Sequence, residues 1–263
     1  MLDSAAFGPE PGRWPLPAAC TPRQRWLRAV AAGAQGYYAI AHTELSTLLG
    51  ENPAAPWVSL AHSTRGSLLR QLGGHAAARG HDGRALAEAE GESAEVEVAR
   101  ADALIGLAAD ALGLGRLALS AALLDRAERA LTAAGGETTR PEIRLHWVRA
   151  ELAMAAGAGE PAIEHARRAA EVAGTWSSVR HRVKSEVVTA AALCCAGRTG
   201  EARRLADGLL GETADRGLLP LRWAVASLLD GIGSATYPAD EMTAIRDEAA
   251  AAISRRGGCW AAG

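Results

Sequence analysis

The sequence predicts an all-α fold in which about five to six helical hairpins stack as a solenoid. Alanine, leucine, arginine and glutamate, which favour helices, dominate the composition, whereas only 4% of the 263 residues are aromatic. Valine, isoleucine and threonine form no alternating runs, so strands have little support. A pattern of small residues around a glycine also recurs along the chain, which is typical of stacked hairpins.

The clearest copy of this pattern lies in 69–89. Gly73 and Ala76 precede Gly80, and Ala85 follows it after five residues. Glycine ends helices readily because it adopts the left-handed conformation without a Cβ penalty. We therefore expect one helix to end at Gly80 and a second to pack back on it through small residues. Successive anchor glycines are 34 to 44 residues apart. They are Gly36, Gly80, Gly115, Gly157 and Gly197, with a half-copy ending at Gly231.

Residues 1–20 are predicted to form an extended arm, because four prolines and two glycines interrupt any helix there. Its apolar side chains Phe7, Trp14 and Leu16 could dock it on the solenoid, and a disordered tail is the alternative. Docked in the groove, the arm would be self-inhibitory. The helical-repeat domain is expected to span 21–256, and 257–263 to form a short tail.

Capping residues and helix breakers divide the repeat domain into pairs of helices. Thr21 and Pro22 suit the cap and first position of the first helix. Pro56 opens the second pair, and Ser93 is a candidate cap for the third. The predicted pairs cover 21–35 and 37–49, 57–78 and 82–89, 94–113 and 116–134, 139–156 and 160–173, and 177–196 and 199–215. An apolar helix over 220–229 and a polar capping helix over 239–256 complete the domain.

The repeated unit resembles the tetratricopeptide repeat family over roughly residues 21–235. Most units are longer than the family's usual length, and alanine replaces most of its aromatic residues, so another all-α bundle stays an alternative. The resemblance implies a right-handed superhelix whose first helices line a concave groove. It is carried by Leu69, Leu72, Gly73, Ala76, Gly80, Ala85 and Ala89, and by Leu104, Leu107, Ala108, Ala111, Gly115, Ser120 and Leu124.

The resemblance assigns groove-facing positions thirteen, ten, six and three residues before each anchor glycine. A basic residue opens this series at Arg23, Arg144 and Lys184, and Trp26 and Trp147 follow two of them. A tryptophan beside a cation can anchor a segment with an acidic and an apolar side chain. Alternatively, the tryptophans pack between helices and the bases are solvated. The predicted partner-binding residues are Arg23, Trp26, Arg70, Ile105, Arg144, Trp147, Glu151, Met154, Lys184 and Val187.

Composition and motifs narrow the class of function. The net charge of −2 argues against a general nucleic-acid binder, and no apolar run is long enough to span a membrane. Four cysteines without Cys-x-x-Cys spacing, and no secretory leader, predict a reducing cytoplasm. His-Glu-x-x-His, phosphate-binding Gly-rich and Gly-x-Ser-x-Gly motifs are missing, so we expect no catalytic residues, metal or cofactor.

The sequence therefore predicts a non-enzymatic cytoplasmic module that holds a protein or peptide segment, acidic or apolar in character, in its groove. Such a module would act as a scaffold or regulator. One alternative is a sensor that binds a small ligand or a signalling peptide. A self-associating module that forms a homodimer is another. An enzyme or nucleic-acid binder is supported only by the basic region 140–204.

Overall fold

The computed structural model describes residues 1–261, which form thirteen helices and no strand, as the composition predicts. None of the helices in that range is both long and apolar enough to cross a lipid bilayer. Of the tail predicted at 257–263, residues 262–263 lie outside the described part. The helices are α1 (Leu2–Phe7), α2 (Pro22–Ala34), α3 (Tyr38–Gly50), α4 (Ala55–Arg70), α5 (His75–Glu88), α6 (Ala94–Gly113), α7 (Leu117–Ala134), α8 (Thr139–Ala155), α9 (Gly159–Gly174), α10 (Val179–Cys195), α11 (Thr199–Asp215), α12 (Leu219–Ile232) and α13 (Ala239–Arg255).

Helices α2 to α13 pack in consecutive pairs, α2 with α3 through α12 with α13. The loop within each pair contains a glycine at positive φ, where a side chain would be strained. In the first pair, Tyr37 N then donates to Ala32 O at 2.8 Å, which closes the end of α2. The same bond follows the corresponding glycine in the next four pairs. The six loop glycines are Gly36, Gly73, Gly115, Gly157, Gly197 and Gly233.

Small residues on both sides of the loop glycine let the two helices of a pair approach closely. In the third pair, Ala108 lies seven residues before Gly115 and Ser120 lies five after it, and both are fully buried. Ala29 and Ala41 occupy the same positions in the first pair and are also fully buried. The small residues of the repeat therefore mark helix contacts, as expected from the sequence.

The second anchor of the predicted pattern is wrong. Gly80 lies inside α5, and α4 ends earlier, at Arg70, with Gly73 in the loop. Gly73 satisfies the same pattern, with buried Gly66 seven residues before it and buried Ala78 five after it. Two glycine-centred matches overlap in this alanine-rich stretch. The structure uses the match centred on Gly73, which leaves both α4 and α5 long enough to pack along each other.

The last anchor shifts in the same way, by two residues. Gly231 lies within α12, and Gly233, at positive φ, follows the end of that helix. Ala226 and Leu229 precede Gly233 by seven and four residues and are fully buried. Here too, the glycine that ends the helix is the one whose preceding residues face the core.

The amino terminus is not the fully extended arm expected over residues 1–20. Residues Leu2–Phe7 form α1, whose buried Leu2, Ala5 and Ala6 pack against α2. The prolines begin only at Pro9, so one helical turn and a half can form before them. The following segment, through residue 20, is irregular and places Leu16 in the core.

The last helix pair returns to the first. The amide of Ala39 in α3 donates to the carbonyl of Arg256 at 3.0 Å, and the amide of Ala261 donates to Leu72 O at 2.9 Å. Leu219, at the start of α12, packs on the core of α2 and α3. The twelve helices thereby enclose a central space, and α2, α4, α6, α8, α10 and α12 face it.

One helix contact is especially close. The buried carboxylate of Asp82 in α5 lies against Gly66 in α4 and Gly106 in α6, where a Cβ atom would overlap its oxygens. An ion pair with Arg70 holds this carboxylate in place. The two glycines therefore provide the space that Asp82 occupies between three helices.

Gly106→Ala should destabilise the fold by about 1–3 kcal/mol, because the added methyl group overlaps a carboxylate that cannot move freely. Gly211→Ala is the matched control: it lies in the interior of α11 with open space around it, and it should stabilise by up to about 1 kcal/mol. Urea denaturation of the three proteins measures both changes. Equal stability changes at the two positions would contradict this close contact.

Candidate functional site

A cavity of about 520 Å³ lies at the centre of the molecule. All six inner helices contribute to its wall, from Ala34 in α2 to Trp223 in α12. A smaller space of about 100 Å³ adjoins it and extends toward α1 and Phe7. The two spaces share Arg144, Trp147 and Arg180. The helix pairs therefore converge on one internal site rather than on separate surface patches.

Six of the ten residues predicted to line a groove lie on this wall. All six are aromatic or charged and lie on the inner helices. Buried tryptophans and charged residues usually have a hydrogen-bond or ion-pair partner, so the contacts of these six residues decide what the site can bind. The six are Trp26, Arg70, Arg144, Trp147, Glu151 and Lys184.

The other four predicted residues do not line the cavity. Arg23 is exposed and forms an ion pair with Asp3 of α1. Ile105 and Val187 are buried between helices, and Met154 packs against the α9 and α10 side of its helix pair. Because these three side chains are apolar, burying them against a neighbouring helix is more favourable than exposing them to a hydrated cavity.

Arg70 belongs to a buried cluster with two carboxylates. It pairs with Asp82 and, at 2.9 Å, with Asp110, and both aspartates are fully buried. One oxygen of each carboxylate has no hydrogen-bond partner among the described residues. Burial raises the pKa of Asp82 to about 7; Asp110 adds to the rise and Arg70 opposes it. A proton on Asp82 would relieve the excess negative charge of this cluster.

Asp102 forms the second buried cluster, with the opposite charge excess. This carboxylate of α6 pairs with both Arg140 and Arg144 of α8. Burial alone would raise its pKa, but the two guanidinium groups lower it below the ordinary value. Asp102 is therefore ionised at neutral pH, and one negative charge faces two positive charges.

Arg180 of α10 lines both parts of the cavity and forms no ion pair with any residue in 1–261. Its Nε atom is buried without a hydrogen-bond partner in that range. Burial lowers its pKa to about 10, with a contribution from Arg140 and Arg144. Arg180 thus stays charged at neutral pH, and its nearest favourable contact is the ring of Phe7, whose centroid is 5.8 Å from Cζ.

Aromatic rings surround this group of arginines. Phe7 lies 5.3 Å from Trp26 and 5.8 Å from His181, between ring centroids, and Trp147 stacks on His181 at 5.4 Å. Burial holds the pKa of His181 well below its ordinary value, and Arg180 lowers it further, so the ring is neutral. The wall therefore combines flat apolar surfaces with guanidinium groups.

The indole nitrogens of the two predicted tryptophans are already bonded within the protein. Trp26 Nε1 donates to Thr64 Oγ1 at 2.9 Å, and Trp147 Nε1 donates to Ser185 Oγ at 2.8 Å. These bonds fix the orientation of both rings and satisfy their polar atoms. The N–H groups are therefore not available to a ligand. Cations lie over both rings, with Arg140 Cζ 5.3 Å from the Trp26 centroid and Lys184 Nζ 5.7 Å from the Trp147 centroid.

The sequence reasoning missed Arg140 and Arg180, and it named Phe7 as a side chain that could dock the arm but not as a residue of the site. Arg140 and Arg180 each stand seventeen residues before a loop glycine, one helical turn before Arg144 and Lys184. Residues four apart share a helix face, so extending the groove series by one turn would have found both arginines. No pattern in the sequence places Phe7, because it reaches the cavity only through the docking of α1.

Helix α1 spans between the first and the fifth helix pairs. Gly8 O accepts a hydrogen bond from the amide of Val179 at 3.3 Å, at the start of α10. Phe7 follows into the gap between Trp26 and Trp176, with centroids 5.3 and 5.7 Å away. Trp14 instead stacks on Tyr37, at 3.9 Å between ring centroids. Of the three apolar side chains considered for docking, Phe7 is therefore the one that reaches the cavity.

No protein-family model matches this chain, and no curated protein or solved structure matches it. The function of the site therefore has to follow from the chemistry of its own residues.

The buried Asp82 predicts a specific pH dependence of stability. Its pKa of about 7 exceeds the value near 3.9 of an unfolded aspartate, so the folded state binds the proton more tightly. Protonation of Asp82 therefore adds to the free energy of unfolding in full below about pH 4, and this stabilisation is lost as the pH rises through about 7. Asparagine does not titrate, so the Asp82→Asn protein does not lose stability in this range. Relative to wild type, Asp82→Asn should therefore be more favourable at pH 8 than at pH 5.

Urea denaturation of wild type and Asp82→Asn at several pH values measures the effect, because the difference between the two proteins cancels the titration of other groups. Exposed Asp215→Asn is the matched control and should keep the wild-type pH profile. Parallel stability profiles for wild type and Asp82→Asn would contradict the assignment.

Proposed function

We propose that this chain is a non-enzymatic ligand-binding module that holds a small, flat, apolar molecule in its central cavity. The observation that carries the proposal is the convergence of all six inner helices on one space of about 520 Å³. Small-molecule sites commonly have volumes of about 300–1,000 Å³ and combine apolar walls with a few polar groups. This cavity has both features, since Trp147, Trp223 and Leu112 share its wall with charged side chains.

A protein or peptide segment is the other candidate ligand that the sequence suggests for this space. An extended segment would need a channel along the inner helices, wide enough for its backbone and alternate side chains. The return of the last helix pair to the first leaves a limited space, which would admit at most the end of such a segment. The cavity therefore favours the sensor-like alternative, a small ligand, over a long protein partner.

The arrangement of the helix pairs agrees with a solenoid of tetratricopeptide type, and we include this architecture in the proposal. Regular loop glycines and buried small residues support repeated units. Ligand binding between inner helices of different pairs would change the angles between neighbouring pairs. Such a change would be the natural signal for a regulatory module.

A neutral aromatic dye, N-phenyl-1-naphthylamine, should bind the wild-type protein at one molecule per chain, with a rise in dye fluorescence as it leaves water. Ala109→Trp adds a large side chain to the cavity wall and should weaken this binding roughly tenfold or more, since apolar contact area is lost. Fluorescence titration measures the affinity.

Ala121→Trp provides the control, because Ala121 is exposed on α7 outside the cavity, and it should leave the affinity unchanged. Circular dichroism should show equal helix content in all three proteins. If the dye binds equally well to wild type and Ala109→Trp, the central cavity is not the binding site.

A further inference from the structure

The basic residues around the smaller part of the cavity are not balanced by acidic residues. Arg140, Arg144 and Arg180 all line it, and Asp102 is the one carboxylate among its lining residues. Both oxygens of Asp102 are engaged by Arg140 and Arg144. The three arginines therefore exceed the one carboxylate by two positive charges, and Arg180 is the arginine of the three that forms no ion pair within the described residues.

The Arg70 cluster does not supply the missing negative charge. Its two carboxylates, Asp82 and Asp110, both pair with Arg70. Lys184 and Glu151 form a separate pair on the wall, 3.5 Å apart. Every charged group of the larger cavity except Arg180 thus has an oppositely charged partner in residues 1–261.

Arg180 is half-buried, with its Nε atom shielded from solvent. A guanidinium that loses part of its hydration without gaining a counter-ion destabilises a protein. The contact of Arg180 with the face of Phe7, at 5.8 Å, offsets only part of that loss. Nothing in the fold balances a charge at this position, since Arg180 lies over the ring of Phe7 and the charged groups that act on it are Arg140 and Arg144. Arg180 is therefore better explained by a ligand than by the fold.

A guanidinium group recognises oxyanions through paired N–H donors, and Arg180 has unused donors directed at a cavity with flat aromatic walls. Arg140 and Arg144 add positive potential, although their donors already bind Asp102. Trp147 and Phe7 belong to the same lining and give it its aromatic character. An anion and an aromatic ring joined in one molecule would use both features together.

We propose that Arg180 forms an oxyanion subsite of the central cavity, and that the natural ligand is a flat aromatic molecule carrying a carboxylate or phosphate group. This inference rests on the proposed ligand-binding function and names the class of molecule that the cavity takes. The oxyanion gives Arg180 a counter-ion and reduces the positive excess of the wall, and the aromatic part of the ligand lies among the apolar residues of the cavity lining.

The test compares two dyes that share one aromatic skeleton. 8-Anilinonaphthalene-1-sulfonate carries an oxyanion, whereas N-phenyl-1-naphthylamine is neutral. Wild type should bind the sulfonate roughly tenfold or more tightly than the neutral dye, because a hydrogen-bonded ion pair forms in a desolvated site. Arg180→Met should reduce sulfonate binding to the level of the neutral dye, so that the ratio of the two affinities falls from about tenfold or more toward one.

Arg129→Met is the matched control, because Arg129 is exposed on the outer helix α7, and it should change neither affinity. Arg180→Lys should retain part of the preference for the sulfonate, since it keeps the charge but not the planar donor pair. In the absence of dye, Arg180→Met should raise the Tm, because it removes an unpaired, half-buried charge. A substitution that stabilises the protein but weakens anion binding indicates that the original residue serves function rather than stability.

Competition against the bound sulfonate dye by 1-naphthoate and 1-naphthyl phosphate then separates the two oxyanion classes. Stronger displacement by one of them identifies the ligand as a carboxylate or a phosphate. If Arg180→Met binds both dyes as wild type does, the oxyanion subsite is wrong while the cavity remains the binding site. If Ala109→Trp affects neither dye, the proposed function is wrong, and this inference with it.

Discussion

Ion pairs between neighbouring inner helices are the interactions on which the central cavity depends. Arg70 joins α4 to the carboxylates of α5 and α6, Asp102 joins α6 to α8, and Lys184 of α10 pairs with Glu151 of α8. Buried ion pairs contribute less to stability than apolar packing of equal volume, but losing one partner is costly. A shift of one inner helix along its neighbour would break several ion pairs and leave buried charges without partners. These pairs therefore favour a single relative position of the inner helices.

Apolar packing supplies the rest of the stability through small residues. Only 4% of the chain is aromatic, and alanine is the commonest buried residue. Small side chains bury little area each, but they allow backbones to approach closely and bring many contacts into range. Larger apolar side chains such as Tyr38, Leu45 and Ile143 fill the remaining space between the helices. The tryptophans Trp26, Trp147 and Trp223 lie instead on the cavity wall, beside its charged groups.

The cavity and the chain ends are coupled by the same architecture. Phe7 of α1 contacts rings from the first and fifth helix pairs, and Trp260 near the other end packs on Trp223 of the cavity wall at 4.6 Å. A ligand that rearranges the wall would therefore be felt at both ends of the described chain. If the proposed binding function holds, packed rings would connect the cavity wall to both chain ends.

The helical class, most helix boundaries and the loop glycines Gly36, Gly115, Gly157 and Gly197 follow from the sequence, because helix propensity and glycine's left-handed conformation are local properties. The positions of Arg144 and Trp147 on α8 follow from the groove offsets that the tetratricopeptide resemblance implies. Only the tertiary structure decided between Gly73 and Gly80 as the end of a helix, because both satisfy the local pattern and packing selects one. It also decided which charges are paired. Arg140 and Arg180 occupy equivalent positions in the repeat, yet Arg140 pairs with Asp102 and Arg180 pairs with no carboxylate in residues 1–261. The partner of Arg140 is 38 residues away in the chain, so this pairing depends on how whole helices dock.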